Sequence, residues 1–271
     1  MIIAVTAAAV AVLFILYVFA IRGRKGNPAL ERLRGFDYAH RGLHGNSVPE
    51  NSMAAFKAAL EKGFGAELDI HLTADGELAV IHDSSLLRTA GADLKAEQLT
   101  KAQLKEYRLE GSDERIPLLE EVLELYHGKF PLIIELKPEN NNHAALCDAA
   151  FKRLDRYGGD YSVQSFDPRC LMWIKKHRPH AVRGQLAENF FVSRQKMSFV
   201  LKFILSYLIL NFLTLPDYVA YNFQHKNKCL SERLCRKLWG LTSFAWTIRS
   251  IEDHALARSE GRISIFEKFV P

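Results

Sequence analysis

The pattern of hydrophobic and polar positions changes character once, early in the chain. Residues 1–21 contain no charged residue, glycine or proline. As a helix, that many residues reach roughly 31 Å, about the thickness of a bilayer's hydrocarbon core. The pattern predicts a transmembrane anchor at 1–21 and a juxtamembrane segment at 22–35. A cleaved secretory peptide carries its positive charge before the apolar run and a small-residue cleavage site after it; here Arg22, Arg24 and Lys25 follow the run. By the positive-inside rule the C-terminal side is then cytoplasmic, which predicts a single-pass protein of the cell membrane. An uncleaved or atypical signal sequence is the other reading.

From Gly26 onward, about 245 residues alternate short β-rich runs with helical periodicity, without repeats, low complexity or a long linker. Such alternation predicts βαβ units and a parallel sheet. Strands are expected at 36–39, 66–71, 78–82, 131–137, 161–165, 181–186, 217–222, 242–247 and 262–266. One of these nine is surplus to an eight-stranded barrel. Thr73-Ala74-Asp75-Gly76 lies between the second and third, and Asp-Gly marks a tight hairpin, whereas a parallel crossover needs a dozen or more residues. Strand 78–82 is therefore the return arm of a hairpin. The remainder predicts an α/β fold, a (β/α)8 TIM barrel over 36–271 with a hairpin-containing insertion at about 72–115. Helices are expected at 52–61, 118–127, 143–157, 168–177, 197–213, 231–238 and 251–258. No room remains for a full eighth helix after the last strand, and the short segment 28–34 is expected to cap that side.

Composition narrows the class without changing the fold. The 271 residues are 48% hydrophobic and 25% charged, which excludes a disordered chain, a coiled coil, a collagenous repeat and a disulfide-stapled mini-domain. One sizeable domain, or two small ones, is within reach of this length. The net charge of +5 comes with no dense basic run interleaved with aromatics, so no nucleic-acid partner is expected. Cys147, Cys170, Cys229 and Cys235 form no C-x-x-C pair or zinc spacing and read as ordinary buried thiols.

The candidate chemistry collects at expected strand ends, where barrels of this kind carry their reactive groups. Strand one runs into His40-Arg41-Gly42, strand two carries Glu67 and Asp69, the hairpin ends in His82-Asp83, and the next strand carries Glu135 and Lys137. Strand side chains alternate with period two, so Glu67 and Asp69 share a face, as do Glu135 and Lys137. Three converging carboxylates repel one another unless a cation is present, and oxygen ligands suit a hard divalent ion, Mg2+ or Ca2+. Two histidines supply proton transfer near neutral pH, and Arg41 and Lys137 suit the non-bridging oxygens of a phosphate. The implied reaction is metal-assisted hydrolysis of a phosphodiester.

The sequence resembles the glycerophosphodiester phosphodiesterase family. The likeness is carried by His40-Arg41-Gly42, Pro49-Glu50-Asn51-Ser52, Gly65-Ala66-Glu67-Leu68-Asp69, Leu72-Thr73-Ala74-Asp75-Gly76, Val80-Ile81-His82-Asp83 and Leu87-Arg88-Thr89. Further on, the run 116–123, Glu135-Leu136-Lys137, Ser165-Phe166 and Trp246-Thr247 continue it. The resemblance implies a TIM barrel with an insertion after the second strand. It also implies Glu67, Asp69 and Glu135 as metal ligands, His40 and His82 as general acid and base, Arg41 and Lys137 as phosphate contacts, and Glu50 as a further candidate ligand. In that family a glycerol hydroxyl of the substrate attacks phosphorus, giving a cyclic phosphate that water then opens.

Two departures stand out: Arg249 where many relatives have asparagine, and the closing segment 263–267, which lacks the usual Thr-Asp. They are expected to affect the leaving-group pocket and to leave the catalytic core untouched. His71 shares a face with Asp69 and reads either as a substrate contact or as a solvated or hydrogen-bonded loop histidine; His44 is likewise extra to the motif. The stretch 197–215 has only Ser198, Lys202, Ser206, Asn211 and Thr214 as clearly polar members. A second membrane span there would strand the last barrel strands on the wrong side. It is expected either to pack on the barrel or to dip into the membrane interface beside the anchor. The expected substrates are water-soluble glycerophosphodiesters, with membrane lysophospholipids as the alternative. A non-catalytic, membrane-tethered binding protein is the reading from a different class, but its mark would be a lost histidine or carboxylate, and none is missing.

Overall fold

A computed structural model of the chain describes residues 1–45, 47–193, 195–227 and 230–271. Cys229 therefore lies outside the described residues; Cys147, Cys170 and Cys235 are buried free thiols. Helix α1 (Ile2–Ala20) and the single turn α2 (Pro28–Glu31) precede strand β1 (Tyr38–His40), helix α3 (Met53–Glu61) and strand β2 (Gly65–Leu72). Strand β3 (Leu78–Val80) and short helices α4 (Leu87–Ala90) and α5 (Lys101–Leu104) form the excursion before α6 (Leu119–Tyr126) and β4 (Leu132–Leu136). Next come α7 (His143–Leu154), β5 (Tyr161–Ser165), α8 (Pro168–His177), β6 (Arg183–Ala187), α9 (Phe199–Ser206) and α10 (Asn211–Thr214). The chain ends with β7 (Tyr218–Asn222), α11 (Ser231–Trp239), β8 (Thr242–Ile248), α12 (Ile251–Ser259) and β9 (Ile263–Phe266).

Among the described residues eight parallel strands close into a ring, because β1 pairs with both β2 and β9. Strand β3 pairs only with β2, antiparallel, with Ile70 opposite Val80, so the Asp-Gly turn makes the hairpin that its chemistry predicts. On β2, Leu68 and Ile70 face outward into the cluster formed by Phe56, Val122, Leu146 and Phe151. The alternation that buries them there sends Glu67 and Asp69 to the interior.

The barrel interior is filled by Tyr38, Ile133, Leu186, Tyr218, Phe244, Ile263 and Ile265. Its lower mouth is stopped by Leu30 and Leu33, which join the same cluster, and the Tyr38 hydroxyl donates to the Leu33 carbonyl at 2.7 Å. The segment 28–34 thus plugs the floor of the barrel instead of covering its flank. Gly184 leaves room for Tyr218: a Cβ there would sit 2.1 Å from the ring.

Two further findings differ from the sequence expectation. The helix expected at 197–213 is broken into α9 and α10, with Leu208 at a φ of 57°. No proline or glycine causes this. Long-range partners do: the Ser206 hydroxyl accepts from the Phe190 backbone, its carbonyl accepts from Ser231, and the Asn211 amide donates to the carbonyl of Ile21. The basic cluster after α1 is also divided. Arg24 donates to both oxygens of Asp217 at 2.6 Å and to the carbonyls of Pro179 and Ala181, so it bolts the segment to the barrel floor and leaves Arg22 and Lys25 exposed.

Replacing Gly184 by Ala should overpack the interior and lower stability by about 1–3 kcal/mol, read as a fall of roughly 2–4 °C in Tm per kcal/mol. An unchanged Tm in Gly184→Ala would show that the Tyr218 ring does not need that space.

Candidate active site

Strand β1 ends in a sharp turn that sets the first half of the site. Arg41 lies in the left-handed region with a φ of 55°, and Gly42 follows at 76°. A Cβ on Gly42 would lie 2.8 Å from the Ala55 backbone, so the His-Arg-Gly order is required where the chain turns against α3. The turn aims the Arg41 backbone N–H at Glu67 Oε2, 3.3 Å away.

Glu67, Asp69 and Glu135 converge, each offering one oxygen within 4.8 Å of the others, and all three are buried. Their neighbours are cationic or donating. Lys137 Nζ lies 3.2 Å from Asp69 and 2.9 Å from Glu135, and Arg41 Nε lies 3.4 Å from Asp69. The Asn51 amide donates to Asp69 at 3.0 Å. Burial together with the charges of Asp69 and Glu135 pushes the Glu67 carboxyl well above its ordinary value. Burial and Asp69 raise Glu135 as well, against the opposing Lys137. For Asp69 burial works in the same direction, but Lys137, His82 and Arg41 outweigh it and hold the carboxyl low. Burial and its neighbours thus favour a proton on Glu67 while Lys137 and Arg41 are the cations beside the nest. A hard divalent ion fits this set of buried oxygens and would displace that proton.

The two histidines flank the nest, each with a carboxylate on Nδ1. His40 Nδ1 lies 2.6 Å from Glu267 Oε2, while its Nε2 lies 3.9 Å from Glu67 Oε2. Burial lowers the His40 pKa to about 4, against the raising effect of Glu267, so the 2.6 Å contact is a hydrogen bond from a neutral ring. The Nδ1 proton goes to Glu267 and leaves the Nε2 lone pair facing the nest; this tautomer follows from the partners. Burial favours protonation of Glu267, yet hydrogen bonds from His40, His44 and Arg249 hold its pKa far below the ordinary carboxylate value. Arg249 Nε donates to Glu267 Oε1 at 2.7 Å.

On the other side, His82 Nδ1 lies 2.6 Å from Asp83, and Asp83 accepts from Arg88 Nε at 2.5 Å. Arg88 also reaches Glu50 at 2.5 Å, and Glu50 pairs with Arg41 at 3.0 Å. Glu50, the further candidate ligand of the sequence reading, is paired with two arginines and lies outside the group formed by Glu67, Asp69 and Glu135. His71 is buried and hydrogen-bonded, its Nδ1 at Glu97 (2.5 Å) and its Nε2 at the His82 carbonyl (3.1 Å).

The seven expected residues meet at the C-terminal rim. A cavity of about 40 Å³ is lined by six of them, His40, Arg41, Glu67, His82, Glu135 and Lys137, with Phe166 and Trp246 on its apolar wall. That space suits an ion and a water molecule. A larger surface cavity of about 510 Å³, lined by Glu120, His127, Arg156 and Gly159 among others, lies along α6 and the end of α7 and contains none of these groups.

The departures at Arg249 and Glu267 do not leave the core untouched, as the sequence suggested. They pair with each other, and Glu267 holds His40. No local signal reveals this contact, because the partners lie 227 positions apart and meet only when β9 closes on β1. Asp83 was visible beside His82, but its role needed the geometry of Arg88.

The profile of the glycerophosphoryl diester phosphodiesterase family matches residues 40–266. The chain is 37% identical over 158 residues to a glycerophosphodiester phosphodiesterase of Caldanaerobacter subterraneus, covering 55% of this chain and 65% of that one. The chain thus spans about two thirds of that relative. A lysophospholipase D of Rattus norvegicus is 37% identical over 116 residues, covering 38% and 36%. Among solved structures, an Oleispira antarctica phosphodiesterase in complex with the product sn-glycerol-3-phosphate superposes with a TM-score of 0.72 at 23% identity, covering 88% of this chain and 94% of that one. A Thermotoga maritima glycerophosphodiester phosphodiesterase gives 0.64 at 24% identity, covering 86% and 93%. These two show the barrel fold, and the profile match, which spans most of the sequence, places the chain in the glycerophosphoryl diester phosphodiesterase family.

Proposed function

We propose that the protein hydrolyses glycerophosphodiesters to an alcohol and glycerol 3-phosphate. The observation that carries this reading is the buried convergence of Glu67, Asp69 and Glu135 between two carboxylate-bound histidines and two cationic side chains. Glu67, Asp69 and Glu135 would hold one divalent cation, Mg2+ or Ca2+, which when bound supplies Lewis-acid polarisation of the phosphoryl oxygens. Arg41 and Lys137 neutralise the non-bridging oxygens and orient the phosphate. His40, neutral and with Nε2 free toward the nest, takes the proton from the attacking glycerol hydroxyl. His82, with ionised Asp83 behind it, gives a proton to the departing alcohol. The resulting cyclic phosphate is opened by water with the two roles exchanged, which returns both histidines to their starting states.

Helix α1 would span the membrane, since 19 residues of mean hydropathy 2.8 over its best window carry no buried side chain. Arg22 and Lys25, exposed after it, support a barrel on the cytoplasmic side of the cell membrane. Lysophospholipids form a second substrate reading, favoured by the apolar wall of Phe166 and Trp246 beside the phosphate groups and by the lysophospholipase D relative.

Release of ethanolamine, with glycerol 3-phosphate from glycerophosphoethanolamine or lysophosphatidic acid from lysophosphatidylethanolamine as the other product, tests the assignment. Turnover should vanish with chelator, return with Mg2+ or Ca2+, and fall about 10²–10⁴-fold in His40→Asn or His82→Asn. A folded protein that hydrolyses neither substrate under any metal would favour the binding-protein reading.

Cation binding on the acid side of neutrality should release protons, because burial raises the Glu67 and Glu135 carboxyls and both must ionise to ligate. Calorimetry in buffers of different ionisation enthalpy reads this directly, and affinity should rise with pH. Proton-neutral binding throughout the acidic range would place the cation elsewhere.

Glu267→Gln should lower kcat about 10–100-fold with KM nearly unchanged, since it removes the group that fixes the His40 tautomer. In a His40→Asn background the same change should add little. A full additive loss in that background would mean that Glu267 acts on something other than His40.

A further inference from the structure

Helix α9 inverts the usual arrangement of a barrel helix. Its buried side chain is Ser206, while Phe199 and Val200 are 73% and 65% exposed and Leu201 and Phe203 also face outward. A helix on a water-facing barrel turns its apolar stripe inward. The outward apolar surface continues onto Phe191, whose ring packs edge-on against Phe199 at 5.4 Å, and onto exposed Val192. Beyond the break in the helix it continues onto Phe212 and Leu213. An apolar patch of this extent marks a contact surface.

What covers it follows from the place where α1 leaves the barrel. The Tyr17 hydroxyl donates to the carbonyl of Tyr207, the residue immediately after α9. The Trp239 indole donates to the Val18 carbonyl and its ring packs on Phe19 at 5.9 Å. The bilayer that receives α1 therefore begins beside the end of α9. Tyr17, Tyr207 and Trp239 are the residue types that settle at the membrane–water boundary, and the Lys25 ammonium sits 5.8 Å from the Trp239 ring, placed for lipid phosphates.

Past its other end, α9 leads to the reaction site. Phe190 packs edge-on against Phe166 at 6.0 Å, and Phe166 against Trp246 at 5.7 Å. Phe166 and Trp246 line the cavity with His40 and His82. Aromatic side chains thus lead from the catalytic cavity to the exposed face.

We infer that α9, with Phe191 and Val192, is a second, non-spanning membrane contact that lies in the interface of the bilayer crossed by α1 and seats the mouth of the catalytic cavity on the lipid surface. This rests on the reading that α1 spans the membrane, and the test separates the two. The full chain is reconstituted into vesicles of phosphatidylethanolamine and phosphatidylglycerol, with an environment-sensitive fluorophore on Val10→Cys, Val200→Cys or Glu124→Cys. The signal of the identically treated unsubstituted chain is subtracted. Lipids brominated on their acyl chains should quench and blue-shift the labels at 10 and 200 and leave the label at 124, on the far side of the barrel, as in water. Quenching at 10 with a water-like label at 200 overturns the inference alone; water-like labels at both overturn it together with the anchor. Energy transfer between copies at 200 without lipid quenching overturns it in favour of self-association. In the combined variant F199S/V200S/F203S, shown to be folded by an unchanged Tm, a label on Val192→Cys should lose its blue shift while the label at Val10→Cys keeps it. Retention of the shift at 192 would show that those side chains do not hold the loop against lipid.

Discussion

Like charge buried inside a closed barrel is the constraint on which the site depends. Three carboxylates within 4.8 Å, out of water, raise one another's proton affinity, and such a nest persists only with compensating cations. Lys137 and Arg41 supply two, which leaves one negative charge when all three carboxyls are ionised. The raised Glu67 carboxyl is the structural sign of that deficit. A bound divalent ion would reverse it and would give a phosphate a net positive seat. The barrel makes the arrangement tolerable because β2 and β4 are in register, with Asp69 opposite Glu135, so little freedom is lost in bringing the groups together.

Each histidine is fixed by a carboxylate that is itself fixed by an arginine. His40 rests on Glu267 and Arg249; His82 rests on Asp83 and Arg88, and Arg88 continues through Glu50 to Arg41. The two sides differ in burial: His40 is enclosed and neutral, whereas His82 is about a third exposed at the cavity lip. That asymmetry gives two chemically identical rings different environments, the condition under which paired acids and bases in one site take different roles. Arg249 and the closing segment 263–267, the two departures from the family pattern, meet in one pair: Glu267 reaches His40, and Arg249 donates to its other oxygen.

Helix α1 and the barrel form one unit. Arg24 and the plug of Leu30 and Leu33 fasten the residues after α1 into the barrel floor, and Ile21 is buried against α11 and the break between α9 and α10. No flexible tether intervenes, so the orientation of the helix and of the cavity mouth are coupled.

Local periodicity and turn chemistry determined the strands, the hairpin and the shared face of Glu67 and Asp69. Those features depend on neighbours a few residues apart, and the sequence by itself carries them. The apolar length of α1 was legible for the same reason. Only the tertiary structure decided that Glu267 supports His40, that Glu50 pairs with Arg41, that 28–34 plugs the floor and that one long apolar segment breaks at Leu208. Apart from the Arg41–Glu50 pair, which Arg88 of the β3–α6 excursion completes, those outcomes rest on groups that meet only when the ends of the barrel close or when α1 docks. There hydrogen-bond partners and space, not propensity, choose the conformation.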